Sequence, residues 1–159
     1  MRRQGFVPDM EVVNAELCLL LTSILDCLIP SDGRLPGAGG AGIVRYIDAL
    51  MAGSEDTKQL FLQGLYEIEA ASSELSKSDF GSLAQGQQVG ILSSVEANHP
   101  AFFALLIENT YKGYYSNPEI LRILGFAGRL PQPEGYSLHP FESHMLENVK
   151  KRGKRYREA

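Results

Sequence analysis

No stretch of this 159-residue chain is both long and apolar enough to span a membrane: the most hydrophobic run, 17–29, is short and carries Asp26. Cysteine is scarce, with only Cys18 and Cys27. Nine residues apart on one expected helix, their Cα atoms would lie ~13 Å from each other, too far for a disulfide. Both read as buried thiols, compatible with a reducing compartment. A Gly-x-Ser-x-Gly nucleophile turn is absent. The glycine run 37–42 has no strand before it and no Lys-Ser/Thr after it, which excludes a phosphate loop or dinucleotide fingerprint. His139 and His144, with Glu142 and Glu147, are the only cluster of metal-ligand types, and their spacing matches no zinc-protease pattern. They read as surface residues. Arg2-Arg3 is followed by the polar, proline-broken GFVPDMEVVNAE, so no usable twin-arginine export signal is expected.

Charge is modest in total and unevenly placed. The segment 150–159 has six basic residues and Glu158, a net +5, which leaves −9 on the rest of a chain whose total is −4. An acidic body repels phosphates, so nucleic acid is not an expected partner. The basic tail reads as a solvated end, with docking on an acidic surface, a membrane or RNA as its functional alternatives.

What is present has a helical period. Asp9 is a candidate cap for a first helix, with Val12, Val13, Leu17, Leu20, Leu21, Ile24, Leu25 and Leu28 on its apolar face. Pro30 stops it. A second helix covers about 41–51 and ends at Gly53, and Ser54-Glu55-Asp56 opens a third, with Leu60, Phe61, Gly64, Leu65 and Ile68 on one side. Gly64 in a helix interior predicts a close contact with another helix. A connector, 76–84, tucks in Phe80 and Leu83. A fourth helix spans about 85–96, a fifth begins at His99-Pro100, and Asn117-Pro118 caps a short sixth ending near Gly125. Beyond it, Gly128, Pro131, Pro133, Gly135 and Pro140 break any helix, predicting an irregular strap pinned by Phe126, Leu130, Tyr136 and Phe141. The fold class is all-α: a bundle of about five to six helices (9–141) between a flexible start (1–8) and a basic tail (142–159) that can itself be helical.

Between the first two helices lies a glycine- and proline-rich corner, 30–42, holding Asp32, Pro36 and Gly37. Its glycines are expected to take backbone angles that side chains disfavour. Asp26, Asp32 and Asp48 invite a search for an acid–base pair, but Asp32 is better explained as a turn former. Tyr111, Tyr114 and Tyr115 put polar-tipped rings at a helix end, serving either packing or a partner surface. Consecutive helical residues point ~100° apart, so one of Tyr114 and Tyr115 should face inward and the other outward.

The ordered set Leu28-Ile29-Pro30, Asp32, Pro36-Gly37-Ala38, Gly42-Ile43, Tyr46-Ile47-Asp48, Phe61, Gly64-Leu65, Phe80, Leu83, Gln87-Gln88, Ile91-Leu92, Phe102-Phe103, Thr110, Gly113-Tyr114-Tyr115-Ser116, Pro118 and Leu124-Gly125 resembles the gluconate 2-dehydrogenase subunit 3 family. The resemblance runs from about Asp9 to Tyr136. It implies a small, non-catalytic subunit that supports folding, stability or export of a large partner, which holds FAD in a glucose-methanol-choline oxidoreductase fold. No catalytic, cofactor-binding or metal-ligating residue transfers to this chain. The expected partner interface is Pro30, Asp32, Pro36, Gly37, Tyr111, Tyr114, Tyr115 and Pro118. Lacking a usable signal, the chain is expected in the cytoplasm, or in the periplasm as part of an exported complex. The alternatives are a stand-alone cytoplasmic module whose basic tail binds an acidic partner, and a small enzyme using the C-terminal histidines.

Overall fold

The first helix starts later than the apolar pattern suggests. The computed structural model describes residues 10–76, 78–126 and Lys151, and in it α1 spans Ala15–Leu28. Asn14 is its cap, accepting the backbone N–H of Leu17 at 2.9 Å. Val12 and Val13 are not on the helix, because their N–H groups donate to the Asp48 carboxylate. Asp9, the expected cap, lies outside the described residues. So do the C-terminal histidines, the strap beyond Phe126 and all of the basic tail except Lys151.

The remaining helices follow the sequence closely. They are α2 (Ile43–Ala52), α3 (Glu55–Ser76), α4 (Gln85–Asn98), α5 (Pro100–Ser116) and α6 (Pro118–Ile123), with a 3₁₀ turn at Phe80–Ser82. There is no strand among the described residues. Each boundary has a local cause. Ser54 Oγ accepts the Thr57 N–H at 3.3 Å, and Glu55 and Asp56 sit in the first turn of α3, where the helix dipole favours acids. Gln87 Oε1 accepts the Ala84 N–H at 3.1 Å, half of a capping box at the start of α4. Pro100 occupies the first position of α5, and Asn117 caps α6 by accepting the Glu119 N–H at 2.9 Å. Gly125, at φ 88°, ends the described bundle in a left-handed turn.

α3 and α5 form the middle of the bundle, with α2, α4 and α6 packed against α5 and the 3₁₀ turn laid on α1 and α3. Leu21, Ile24, Leu25, Ile47, Phe61, Leu65, Ile68, Phe102 and Leu106 fill its core. Phe61 and Phe102 meet edge to face at 5.7 Å. The close contact expected at Gly64 is with the Phe102 ring, which occupies the space where any β-carbon would stand. Phe80 and Leu83 of the connector are buried as expected, while Phe126 is largely exposed. Cys18 and Cys27 are free, as their spacing predicts, and half-buried where buried thiols were expected.

Candidate partner interface

The corner 30–42 is held from below by α1 and from the side by α5 and α6. Asp26 Oδ1, on α1, accepts the Gly39 N–H at 2.9 Å. Within the corner, Ala38 N–H donates to the Ile29 carbonyl at 3.0 Å, while Asp32 Oδ1 accepts the N–H groups of Arg34 and Leu35 at 2.8 and 2.6 Å. Asp32 is thus the turn former that its position suggested. The N–H groups of Leu35 and Arg34 hold its carboxyl below the usual carboxylate range.

Three long-range bonds join this corner to the end of α5 and to α6, each running from a side chain to a backbone carbonyl. Tyr114 donates its hydroxyl to Pro36 at 2.6 Å. Asn117 Nδ2 donates to Ala41 at 2.9 Å. Arg34 Nη2 donates to Ile123 at 2.7 Å, placing a cation at the C-terminal end of α6. These bonds satisfy carbonyls that the irregular backbone would otherwise leave without partners. Burial raises the pKa of the Tyr114 phenol, and the nearby Tyr115 and Asp32 add to the effect.

Gly33 and Gly42 have the positive φ expected of the corner, at 86° and 77°, but Gly37 does not. Glycine is required at 37 and 39 for space. A β-carbon on Gly37 would collide with the Asp26 carboxylate, and one on Gly39 would stand 2.8 Å from both Asp26 Oδ2 and Thr22 Cγ2. The corner lies against α1 because those two positions carry no side chain.

The expected interface residues are therefore brought to one end of the bundle but do not all reach its surface. Gly37 and Tyr114 are buried and Pro36 is half-buried, whereas Pro30, Asp32, Tyr111, Tyr115 and Pro118 are exposed. Tyr114 is the inward member of its pair at 1% exposure, and Tyr115 the outward one at 49%. Tyr115 touches Tyr114 edge to face at 5.3 Å and stacks on Tyr111 at 6.0 Å, with the rings 6° from parallel. Tyr111 and Tyr115, one turn apart, share a face of α5. Their stacking orders two exposed aromatic rings above an anchored neighbour.

Asp48 is a functional group whose role the sequence did not disclose. It is 5% exposed, and both its oxygens accept main-chain N–H groups: Oδ1 from Val12 and Val13 at 2.9 and 2.8 Å, Oδ2 from Glu11 at 2.9 Å. Burial acts to raise its pKa, but the donors from Val13, Glu11 and Val12 more than offset this, leaving it below the usual value. Asp26, Asp32 and Asp48 are each committed to backbone donors, which gives all three a structural role. Among the described residues no group of three or more His, Cys, Asp and Glu side chains is placed to hold a metal ion, and no helix is long and apolar enough to cross a membrane.

The sequence pattern of the family described as gluconate 2-dehydrogenase subunit 3 matches residues 15–126, well over half of the chain. The chain belongs to this family. The match covers α1 to α6 and ends with the described bundle. Searches of curated proteins and of solved structures find no match. Many residues that carry the family resemblance have identifiable structural roles here. Gln88 Nε2 donates to the Phe80 carbonyl at 3.0 Å, fixing the connector. Thr110 Oγ1 bonds the Leu106 carbonyl at 2.7 Å. At Gly113 a β-carbon would stand 2.9 Å from the Tyr46 ring. Pro30, Asp32, Tyr115 and Pro118 also carry the resemblance, but they face outward.

Proposed function

We propose that this chain is a non-catalytic accessory subunit of a dehydrogenase complex whose large partner is an FAD-dependent, glucose-methanol-choline type sugar or alcohol dehydrogenase. The single observation that carries this reading is the family match across the whole bundle, residues 15–126. The geometry adds a means. The stacked pair Tyr111–Tyr115 and the edge of the anchored corner (Pro30, Asp32 and Pro118) form a preorganised surface, and exposed aromatics that lose little conformational freedom on contact are effective anchors. The oxidation belongs to the partner, and this chain contributes surface that stabilises or matures it. Assembly takes place in the cytoplasm, with periplasmic delivery of the joined complex as the alternative.

The test is a pull-down of the tagged chain from its native host, followed by a search for a co-purifying flavoprotein. The expected product is a yellow complex with FAD on the large chain alone. Tyr115→Ala should weaken capture by about 2 kcal/mol while leaving the melting temperature nearly unchanged. Tyr114→Ala should instead cost roughly 3–5 kcal/mol of fold stability, as loss of a buried aromatic does. Capture unaffected by Tyr115→Ala and Tyr111→Ala together would move the interface elsewhere. A colourless preparation without a flavoprotein would remove the FAD-dependent partner.

A further inference from the structure

On the side of α1 facing away from the core, an open cleft of about 540 Å³ runs between α1, α3 and the 3₁₀ turn. Its lining is mixed: Leu19, 71% exposed, and Leu20 and Phe80 supply apolar surface beside Ser23 and Ser82. Its rim is acidic, with Glu16 on α1, Glu69 on α3 and Asp79 before the 3₁₀ turn, and no cation is among its described lining residues. A shallower depression continues it along α1, sharing Ser23 and Gly81 and adding Asp26. The walls are closely set: a β-carbon on Gly81 would come within 2.6 Å of Ser23 Oγ.

We infer that this cleft docks a basic segment of a partner protein, with an apolar side chain on Leu19 and lysines or arginines against Glu16, Glu69 and Asp79. Charge complementarity beside an exposed leucine selects this occupant. Three carboxylates from three parts of the chain line the same cleft as one exposed leucine, Asp79 also accepting the Ser82 hydroxyl, so a cationic amphipathic segment gains apolar burial and ion pairing together. An acidic segment is repelled, and an uncharged one meets only part of the surface. The inference does not rest on the flavin-dependent partner, because none of these residues lies at the corner or among the tyrosines.

The probe is a fluorescein-labelled peptide of alternating leucine and lysine, eight residues long, titrated into the full chain and followed by fluorescence anisotropy at low and physiological salt. Saturable binding is expected, weakened at least tenfold by Leu19→Ser and at least tenfold by the combined Glu16→Lys and Glu69→Lys changes. The equivalent leucine–glutamate peptide should not bind. Glu96→Lys together with Glu108→Lys, away from the cleft, makes the same change in net charge and should cost less than threefold. Circular dichroism melts establish that each variant is folded, and Asp79→Asn is the milder substitute if a charge reversal is not. Equal losses from the distant pair, or no loss from Leu19→Ser, would reduce the binding to diffuse attraction and overturn the inference. If deleting residues 150–159 strengthens peptide binding tenfold, the cleft is the site of the chain's own tail, which overturns its assignment to a partner. Leaving Tyr115→Ala without effect on the peptide keeps this result separate from that of the proposed interface.

Discussion

The corner 30–42 and helix α4 are opposites in how they are held. The corner has no regular secondary structure, yet it is bonded to α1 through Asp26, to α5 through Tyr114 and to α6 through Arg34. α4 is regular over 14 residues, yet Gly86 and Gly90 on it meet nothing within 4 Å of where a β-carbon would stand. Regularity of backbone is therefore a poor guide to how many side-chain bonds tie a segment to its neighbours. In the corner, glycine permits close approach; in α4 it only forfeits helix propensity. A region built by close approach is suited to presenting a fixed surface, which is the role proposed for the tyrosines beside it.

The strongest way to break this comparison is to put a side chain into the corner. Gly39→Val would drive its β-carbon into the Asp26 carboxylate and the Thr22 carbonyl, and the latter, as helix backbone, cannot withdraw without disturbing α1. A loss of about 3 kcal/mol is expected, at the upper end for overpacking. Chemical denaturation of the variant checks this. A loss no greater than that of valine at Gly90 of α4 would show the corner to be an ordinary loop.

The short segment 11–13 is another irregular stretch tied down by one side chain, and it sharpens the contrast through pH. Asp48→Asn removes the charge that accepts three N–H groups and leaves one oxygen to meet them, at a cost of about 2 kcal/mol near neutrality. The folded-state pKa of Asp48 lies below its unfolded value of about 3.9, so its contribution is fully present above that pH. It is lost as pH falls through the folded pKa. Melting curves of the two proteins should therefore be well separated at pH 7 and converge below about pH 4. A constant gap down to pH 2 would show that the carboxylate charge is not what holds the segment.

The helices were legible from sequence because periodicity and caps are local: Pro100, Asn117, Ser54 and the leucines of α1 mark their elements within a few residues. The corner was legible as a corner from Pro30 and its glycines. Its construction was not, because Tyr114 and Pro36 are 78 residues apart and the acceptor is a carbonyl that every residue possesses. The same holds for Asp48, whose partners are N–H groups with no signature in the sequence. This is why α1 begins at Ala15: the Glu11, Val12 and Val13 donors bond Asp48 instead of continuing the helix. Gly37 was legible as necessary, though the reason is its neighbour Asp26 and not its own φ. The outward turn of Tyr115 followed from helix geometry alone, since with consecutive tyrosines only one can face the core.

Tyr114→Phe tests the joint between the corner and α5 with a smaller expected effect. The ring and its packing remain, and only the hydroxyl bond to Pro36 is lost, for about 1 kcal/mol. Hydrogen exchange should report the change locally, with faster exchange at Ala38 and Ala41 in the corner and unchanged rates in α4. Equal acceleration in both regions would mean that the bond supports the bundle as a whole and not the corner.

The smallest effect should come from α4 and should have the opposite sign. Gly90 is in the helix interior, has no positive φ and faces open space, so an alanine there strains nothing and displaces nothing. Gly90→Ala restricts the unfolded chain and raises helix propensity, a gain of about 0.5–1 kcal/mol. Gly86, in the first turn, should give less, because its N–H makes no intrahelical bond. A rise of a few degrees in melting temperature for Gly90→Ala, beside a fall for Gly39→Ala, would separate the two kinds of glycine with the same one-methyl change. If Gly90→Ala also destabilises, that face of α4 is covered in the folded chain, and the contrast drawn between the two regions fails at its α4 end.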